Sequence, residues 1–515
     1  MSDAPARIVD AGSLRKDVDD RPDVCVVGSG PGGAVVAARL AARGLRVVVL
    51  EEGGHFAPDQ FKMDESWAYP AMYQDRGMRA TADLAISVLQ GRGVGGGTLV
   101  NWTTSFRTPP RVLRHWAQAF GVTGLDEQAL APHFDAVEQR LGIAPWTVEA
   151  SNENNRVLWE GAGKLGWARE VTRRNVTGCQ SLGFCGTGCP VGAKNSLDLT
   201  YLDDAVRAGA RVYSRARVVR LEKSGRRISA VHAVGLDAGF RPTTRKIVVR
   251  PRLVVLAAGA IGTPEILLRS GYDPNGKVGQ RTFLHPVTGM GGIYPRPIRP
   301  FYGAPQSIAS HQFAERGPGK VSFFLEASPI HPVLAATAMG GFGVEQEEQM
   351  AQLANTSALI ALAVDGFLPE EKGGTVSLRS DGRVRLDYEI RPEIWEALRE
   401  GTKALARIHL AAGADEVRSF HEDPVVIRGE ADVALLDRAP WEALRVAVFS
   451  AHPMGGCPMG RDPDRSVVDS HLRVHWLDNA WITDGSVFPT SLGVNPMESI
   501  LGISHWAADH IAGAG

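Results

Sequence analysis

The chain has 515 residues, beyond the size at which one hydrophobic core usually keeps growing, so two structural units or one unit with a substantial second lobe are expected. A hydrophobic fraction of 44% and a charged fraction of 22% are those of an ordinary globular protein and exclude a disordered or fibrous chain. Lys+Arg 56 against Asp+Glu 57 leaves a net charge of -1, which gives no electrostatic reason to expect a nucleic-acid partner.

Residues 1–21 carry Asp3, Asp10, Asp17, Asp19 and Asp20 and no apolar h-region, so no ordinary secretory signal is expected and the expected location is cytoplasmic. No run reaches the roughly 18 to 20 apolar residues of a membrane span, and residues 358–364 read as a buried strand.

Residues 24–27 are an apolar strand, followed by Gly28-Ser29-Gly30-Pro31-Gly32-Gly33, a helix over 34–42, and a second strand over 46–50 that ends in Glu51. Strand, glycine turn, helix, strand and acid in this order make a dinucleotide-binding βαβ unit. Gly28 permits the sharp turn, Gly30 lets backbone approach a pyrophosphate at the helix N-terminus, and Gly33 allows helix and strand to pack closely. Glu51 can accept hydrogen bonds from the adenosine ribose, of FAD or NAD alike.

Residues 91–97 hold five glycines around Arg92 and Val94, and Thr98-Leu99-Val100-Asn101 follow. Glycine at that density, flanked by Val100 and Trp102, implies backbone passing close to something flat or charged. A helix is expected over 112–120, and packing helices over 129–141 and 155–165. Short strands recur over 211–221 and 253–256, before a turn over 257–264 and a helix over 265–269. Residues 290–440 alternate differently: strands over 320–325, 375–378 and 384–388 and a helix over 392–410 predict a sheet covered on one side only, able to offer an apolar wall to a substrate.

Near the C-terminus, His452 lies in His-Pro-Met-Gly-Gly-Cys and Asn495 directly precedes Pro496, which restricts it to extended backbone. Both are placed on loops, where side chains can be aimed at a ligand; taken singly, each also reads as a structural hydrogen-bonding group. Between them lie a strand over 480–483 and Asp484-Gly485-Ser486, and a helix is expected over 497–511.

Together these segments resemble the glucose-methanol-choline family of flavin oxidoreductases over nearly the whole chain. Gly28 to Gly33 with Glu51 is similar to the family's adenosine site, residues 91–101 to its first signature, and residues 259–271, GAIGTPEILLRSG, to its second. His452 and Asn495 fall where members carry the active-site histidine and its partner. The resemblance implies an α/β fold: a discontinuous Rossmann-like FAD-binding domain over 1–289 plus 441–515, with 111–174 as packing helices, and a substrate domain over 290–440 built on an antiparallel sheet covered by helices. It implies FAD held by Gly28, Gly30, Gly33, Glu51, Gly95, Asn101, Val218, Asp484 and Gly485. Members with covalent FAD carry histidine where this chain has Val100, so a noncovalent flavin follows.

The implied reaction is oxidation of a CH–OH group, with His452 as base, Asn495 orienting the oxygen, hydride passing to flavin N5, and oxygen or a quinone-type compound as acceptor. Residues 91–101 and the His452 segment resemble the cholesterol oxidase branch, and residues 101–109 the long-chain fatty alcohol oxidases, both pointing to a hydrophobic primary or secondary alcohol. Glu326 resembles the isomerising glutamate of the sterol branch, which implies as alternative a bifunctional oxidase-isomerase; it also reads as a structural acid. Cys179, Cys185 and Cys189 fall within eleven residues. They read as small buried residues in a glycine-rich turn. Related flavin dehydrogenases imply a Cys185–Cys189 disulfide as a second reading, and an iron-sulfur or zinc site needs a fourth ligand from elsewhere, so no metal is expected.

Overall fold

A computed structural model describes residues 8–369 and 371–513; the N-terminal residues that include Asp3 lie outside them. The apolar runs over 24–27, 47–50, 211–214, 253–256 and 480–482 become strands of one six-stranded parallel sheet. Its order is Ile8–Asp10, Arg211–Ser214, Val47–Leu50, Val24–Val27, Leu253–Leu256, Ala480–Ile482. The central strands Val24–Val27, Val47–Leu50 and Leu253–Leu256 are buried along their whole length, as expected of parallel strands covered on both faces. Strands drawn from the first 50 and the last 40 residues thus make one sheet.

Helix Pro31–Ala41 packs on this sheet and against the C-terminal helix Met497–Ala512. At Gly33 a Cβ would stand 2.0 Å from the carbonyl oxygen of Gly28, so only glycine lets the helix come this close to the turn. The helix expected over 265–269 begins earlier, spanning Gly259–Arg269 with Pro264 inside it. Its start is set by a distant residue: the N–H of Gly259 donates to Asp484 Oδ2 at 2.8 Å, a cap that sequence spacing does not reveal.

A second, nine-stranded sheet centres on Val287–Ile293, Thr356–Val364 and Ser322–Ala327, paired antiparallel. Helix Pro392–Ala411 lies across it, so close that a Cβ on Gly401 would stand 2.6 Å from Ala361 Cβ. The expectation of one covered face is corrected here. All nine residues of Thr356–Val364 are buried. Leu359, Ala361 and Ala363 pack in the core beneath the helix, while Ile360, Leu362 and Val364 form a separate apolar cluster with Val287 and Phe324 on the opposite face. The division expected at 289/290 runs through strand Val287–Ile293, and Ser87–Val88, Glu170–Val171 and Phe449–Ser450 also join this sheet from outside 290–440. Helix Glu153–Lys164, inside the expected packing segment, sits against Pro392–Ala411. Among the described residues no helix is long and apolar enough to cross a membrane.

Candidate active site

A cavity of about 850 Å³ runs from the glycine turn of the parallel sheet to the face of the second sheet that carries Ile360 and Leu362. Its adenosine end is built by the first βαβ unit. Gly28, Gly30 and Glu51 line it, as do Val218 and Arg217 from strand Ala216–Ser224. Helix Pro31–Ala41 starts here without a side-chain cap, leaving first-turn N–H groups for an anion. Glu51 is nearly fully buried. Its Oε2 accepts from Ser29 N–H at 2.9 Å and Ser29 Oγ at 2.7 Å, and Oε1 from Gly53 N–H at 2.8 Å. Burial pushes its carboxyl above the usual range, against those three donors.

The second glycine segment passes directly over the first. A Cβ on Gly96 would lie 2.5 Å from Gly30 Cα, whereas one on Gly97 would meet no protein atom within 4 Å and would project into open space. Gly96, Gly97 and Asn101 line the cavity. Gly33 and Gly95 do not; Gly33 serves packing, and Gly95 donates its N–H to Ser29 Oγ at 3.0 Å, tying the two glycine loops together. Two close backbones with a glycine-walled opening between them are suited to a flat, phosphate-bearing group such as FAD. Arg92, which the residue types alone did not single out, strengthens that fit. It is buried, lines the cavity, has a partnerless Nε among the described residues, and stands 3.9 Å from Glu52. Such a desolvated cation suits a pyrophosphate. Asp484 and Gly485 line the same cavity.

The loop behind this turn is held by Lys194, also unforeseen. Its buried Nζ donates to the carbonyls of Leu99 at 2.6 Å, Cys185 at 2.8 Å and Asn101 at 3.2 Å, so the cysteine segment is strapped to the glycine signature. Burial lowers the Lys194 pKa to about 8. Cys179, Cys185 and Cys189 carry free thiols.

At the far end, His452 and Asn495 meet. Asn495 Nδ2 lies 3.3 Å from His452 Nε2, both residues line the cavity, and both are nearly fully buried. The wall opposite is the apolar sheet face, with Val287, Ile360, Leu362 and Phe449. Burial pushes the His452 pKa down to about 4, so the ring is neutral near pH 7. Behind it His285, fully buried, places Nδ1 3.0 Å from His452 Nδ1 and accepts the Gly493 N–H at Nε2, 3.2 Å away. His285 and His452 each precede a proline, a shared dipeptide that was the one available sequence sign of this pair.

Glu326 is buried beside Asn495 and does not line the cavity. Its Oε2 accepts from Gln306 Nε2 at 2.9 Å, and Gln306 does line it. Burial pushes the Glu326 pKa up to about 8, opposed by the neighbouring Asn495 amide. Among the described residues, Glu326 Oε1, Asn495 Oδ1 and Asn101 Oδ1 have no hydrogen-bond partner. Asn495 and Asn101 line the cavity, and buried acceptors without partners there fit a site that completes its hydrogen bonds with a ligand.

Two family models described as GMC oxidoreductase match residues 69–287 and 369–504, and one described as an NAD(P)-binding Rossmann-like domain matches residues 26–64. The chain is 35% identical over 498 residues to an uncharacterised GMC-type oxidoreductase of Mycobacterium tuberculosis, covering 95% of this chain and 75% of the relative. It is 30% identical over 511 residues to a long-chain-alcohol oxidase of Arabidopsis thaliana, covering 93% of this chain and 66% of that protein. The solved structure of a pyridoxine 4-oxidase from Mesorbium loti superposes with a TM-score of 0.71 at 21% identity, covering 95% of this chain and 98% of that one, which is a likeness of fold. The chain belongs to the GMC oxidoreductase family, as an FAD-dependent flavoprotein.

Proposed function

We propose that the protein oxidises the CH–OH group of an apolar primary or secondary alcohol to an aldehyde or ketone, with the alcohol oxygen held between His452 and Asn495. The observation that carries this reading is the cavity itself: it joins the glycine-walled dinucleotide end to an apolar sheet face, and the two polar side chains stand where those regions meet. FAD, noncovalently held and with Val100 where covalent members carry histidine, supplies the hydride acceptor. Gly28, Gly30, Glu51, Arg92, Val218, Asp484 and Gly485 would hold its adenosine and pyrophosphate portions, and Gly97 and Asn101 its ring end.

In one reading His452, neutral through burial, receives the hydroxyl proton at Nε2, while the Asn495 amide orients the oxygen. A second reading is favoured by the partnerless Oε1 of Glu326. In it the carboxyl, once ionised above its raised pKa of about 8, is the proton acceptor and shuttle, as in an oxidase-isomerase. The long-chain alcohol in the plant relative's name supports an apolar substrate for either reading.

Anaerobic mixing with a panel of alcohols tests the function. Long-chain, terpenoid, steroid and aromatic alcohols are expected to bleach the flavin faster than glucose or choline, since an apolar wall gains about 0.8 kcal/mol per buried methylene. A clear preference for glucose would overturn it. Reoxidation with oxygen or a quinone then identifies the acceptor. Replacing Glu326 by Gln separates the readings: loss of bleaching assigns the proton to Glu326, and unchanged bleaching assigns it elsewhere.

A further inference from the structure

We propose that His285 is a positioning residue that sets the tautomer of His452, keeping hydrogen on Nε2, so that His452 meets the alcohol oxygen as a hydrogen-bond donor. The inference rests on the reading of His452 and Asn495 as the alcohol site.

The argument starts from a group whose role is fixed. The backbone N–H of Gly493 can only donate, and it points at His285 Nε2 from 3.2 Å. That nitrogen therefore carries a lone pair. His285 is fully buried, and its pKa is driven well below the usual histidine value by burial and by the nearby His452 and Arg111, so the ring is neutral. A neutral imidazole with a bare Nε2 carries its hydrogen on Nδ1. This Nδ1–H faces His452 Nδ1 at 3.0 Å, so the His452 nitrogen must accept. Neutral His452 then has its hydrogen on Nε2, the nitrogen facing Asn495 and the cavity.

The reverse polarity would set the Gly493 N–H against a second N–H and leave a buried backbone amide without its acceptor. One peptide group thus orients two imidazoles. The same polarity gives the partnerless Asn495 Oδ1 a donor. With hydrogen on His452 Nε2, the Asn495 amide, whose Nδ2 lies 3.3 Å from that nitrogen, is turned so that Oδ1 accepts from it. The hydrogen bonds then run in one direction from Gly493 through His285 and His452 to Asn495. At rest the bare nitrogen of His452 faces His285, away from substrate.

His285 can be exchanged for side chains that preserve or reverse this direction. Glutamine can accept from Gly493 and donate to His452, while a glutamate at a pH high enough to ionise it in this buried position can only accept. Histidine-labelled holoenzyme without substrate is read by ¹⁵N NMR, where protonated and bare ring nitrogens are well separated, with His452 assigned by its absence in His452→Ala. Hydrogen on His452 Nε2 is expected in the native chain and in His285→Gln, and on Nδ1 in His285→Glu. His285→Leu, with FAD retained, is expected to reduce its flavin about 10²-fold more slowly at saturating alcohol, the usual size for loss of one positioned donor, and His285→Gln to recover to within about tenfold.

A bare Nε2 in the native holoenzyme would overturn the proposal, as would native reduction rates in a folded, flavin-loaded His285→Leu. If His285→Glu does not fold, the native spectrum and the leucine and glutamine rates still decide. Unimpaired reduction in His452→Ala would instead overturn the alcohol-site reading and leave the tautomer measurement standing.

Discussion

Thr263 and Asp484, 221 residues apart in sequence, share a 2.5 Å hydrogen bond from the threonine hydroxyl to Asp484 Oδ2. The same oxygen accepts the Gly259 N–H at 2.8 Å, and Oδ1 accepts the Ser486 N–H at 2.8 Å. One buried carboxyl therefore locks the C-terminal turn onto the start of helix Gly259–Arg269, and both segments wall the cavity. Asp484→Ala strands three donors and is expected to cost roughly 2 to 5 kcal/mol, with FAD retained less tightly. Asp484→Asn, which keeps an acceptor, should lose less. Thermal unfolding with flavin absorbance checks both, and a native melting temperature with full flavin content in the alanine variant would refute the lock.

His452→Ala is expected to keep FAD, because the adenosine and pyrophosphate contacts lie at the other end of the cavity, but to slow flavin reduction by about 10² to 10⁴. Stopped-flow measurement under anaerobic conditions reads this directly. Near-native reduction would remove His452 from the chemistry.

Glu326 should leave a pH signature on stability. Its folded pKa of about 8 lies above the ordinary 4.5, so the fold favours the protonated carboxyl. The stability it contributes is full below about pH 4.5 and fades as pH rises through about 8, by an amount on the order of a few kcal/mol. Glu326→Gln, neutral at every pH, should flatten that decline. Denaturant unfolding of both proteins at pH 5, 6.5 and 8 tests it; parallel curves would mean that Glu326 is already ionised in the folded chain.

Lys194→Met keeps the length of the side chain and removes the ammonium that three carbonyls share. Buried carbonyls lose their donor, so a destabilisation of about 2 to 4 kcal/mol and faster labelling of Cys185 are expected. Unchanged labelling would separate the cysteine segment from the glycine loop.

The cysteines themselves are expected to titrate as five thiols in denatured, unreduced protein, in keeping with their free state in the fold. Two further thiols appearing only after reduction would establish a disulfide. Stoichiometric zinc or iron in the purified protein would establish a metal site.

The sequence alone determined the βαβ unit, both glycine signatures, the long helices and the two lobes, because these depend on periodicity and turn chemistry within a few residues. Val24–Val27 and Val47–Leu50 came out as expected for that reason, and helix Pro392–Ala411 ended one residue from the expected bound. His452 and Asn495 were also legible, as polar residues in tight Gly-Pro and Asn-Pro contexts. What only the tertiary structure decided were relationships between segments far apart in the chain. The early start of helix Gly259–Arg269 depends on Asp484, and the burial of both faces of Thr356–Val364 depends on the helix on one side and the apolar cluster on the other. The burial of the cations Lys194 and Arg92 is likewise set by their tertiary surroundings. The place of the hydrogen on His452 is the furthest from local sequence: a neutral imidazole has two tautomers of similar energy, and the choice falls to a backbone N–H at Gly493 that reaches it through His285.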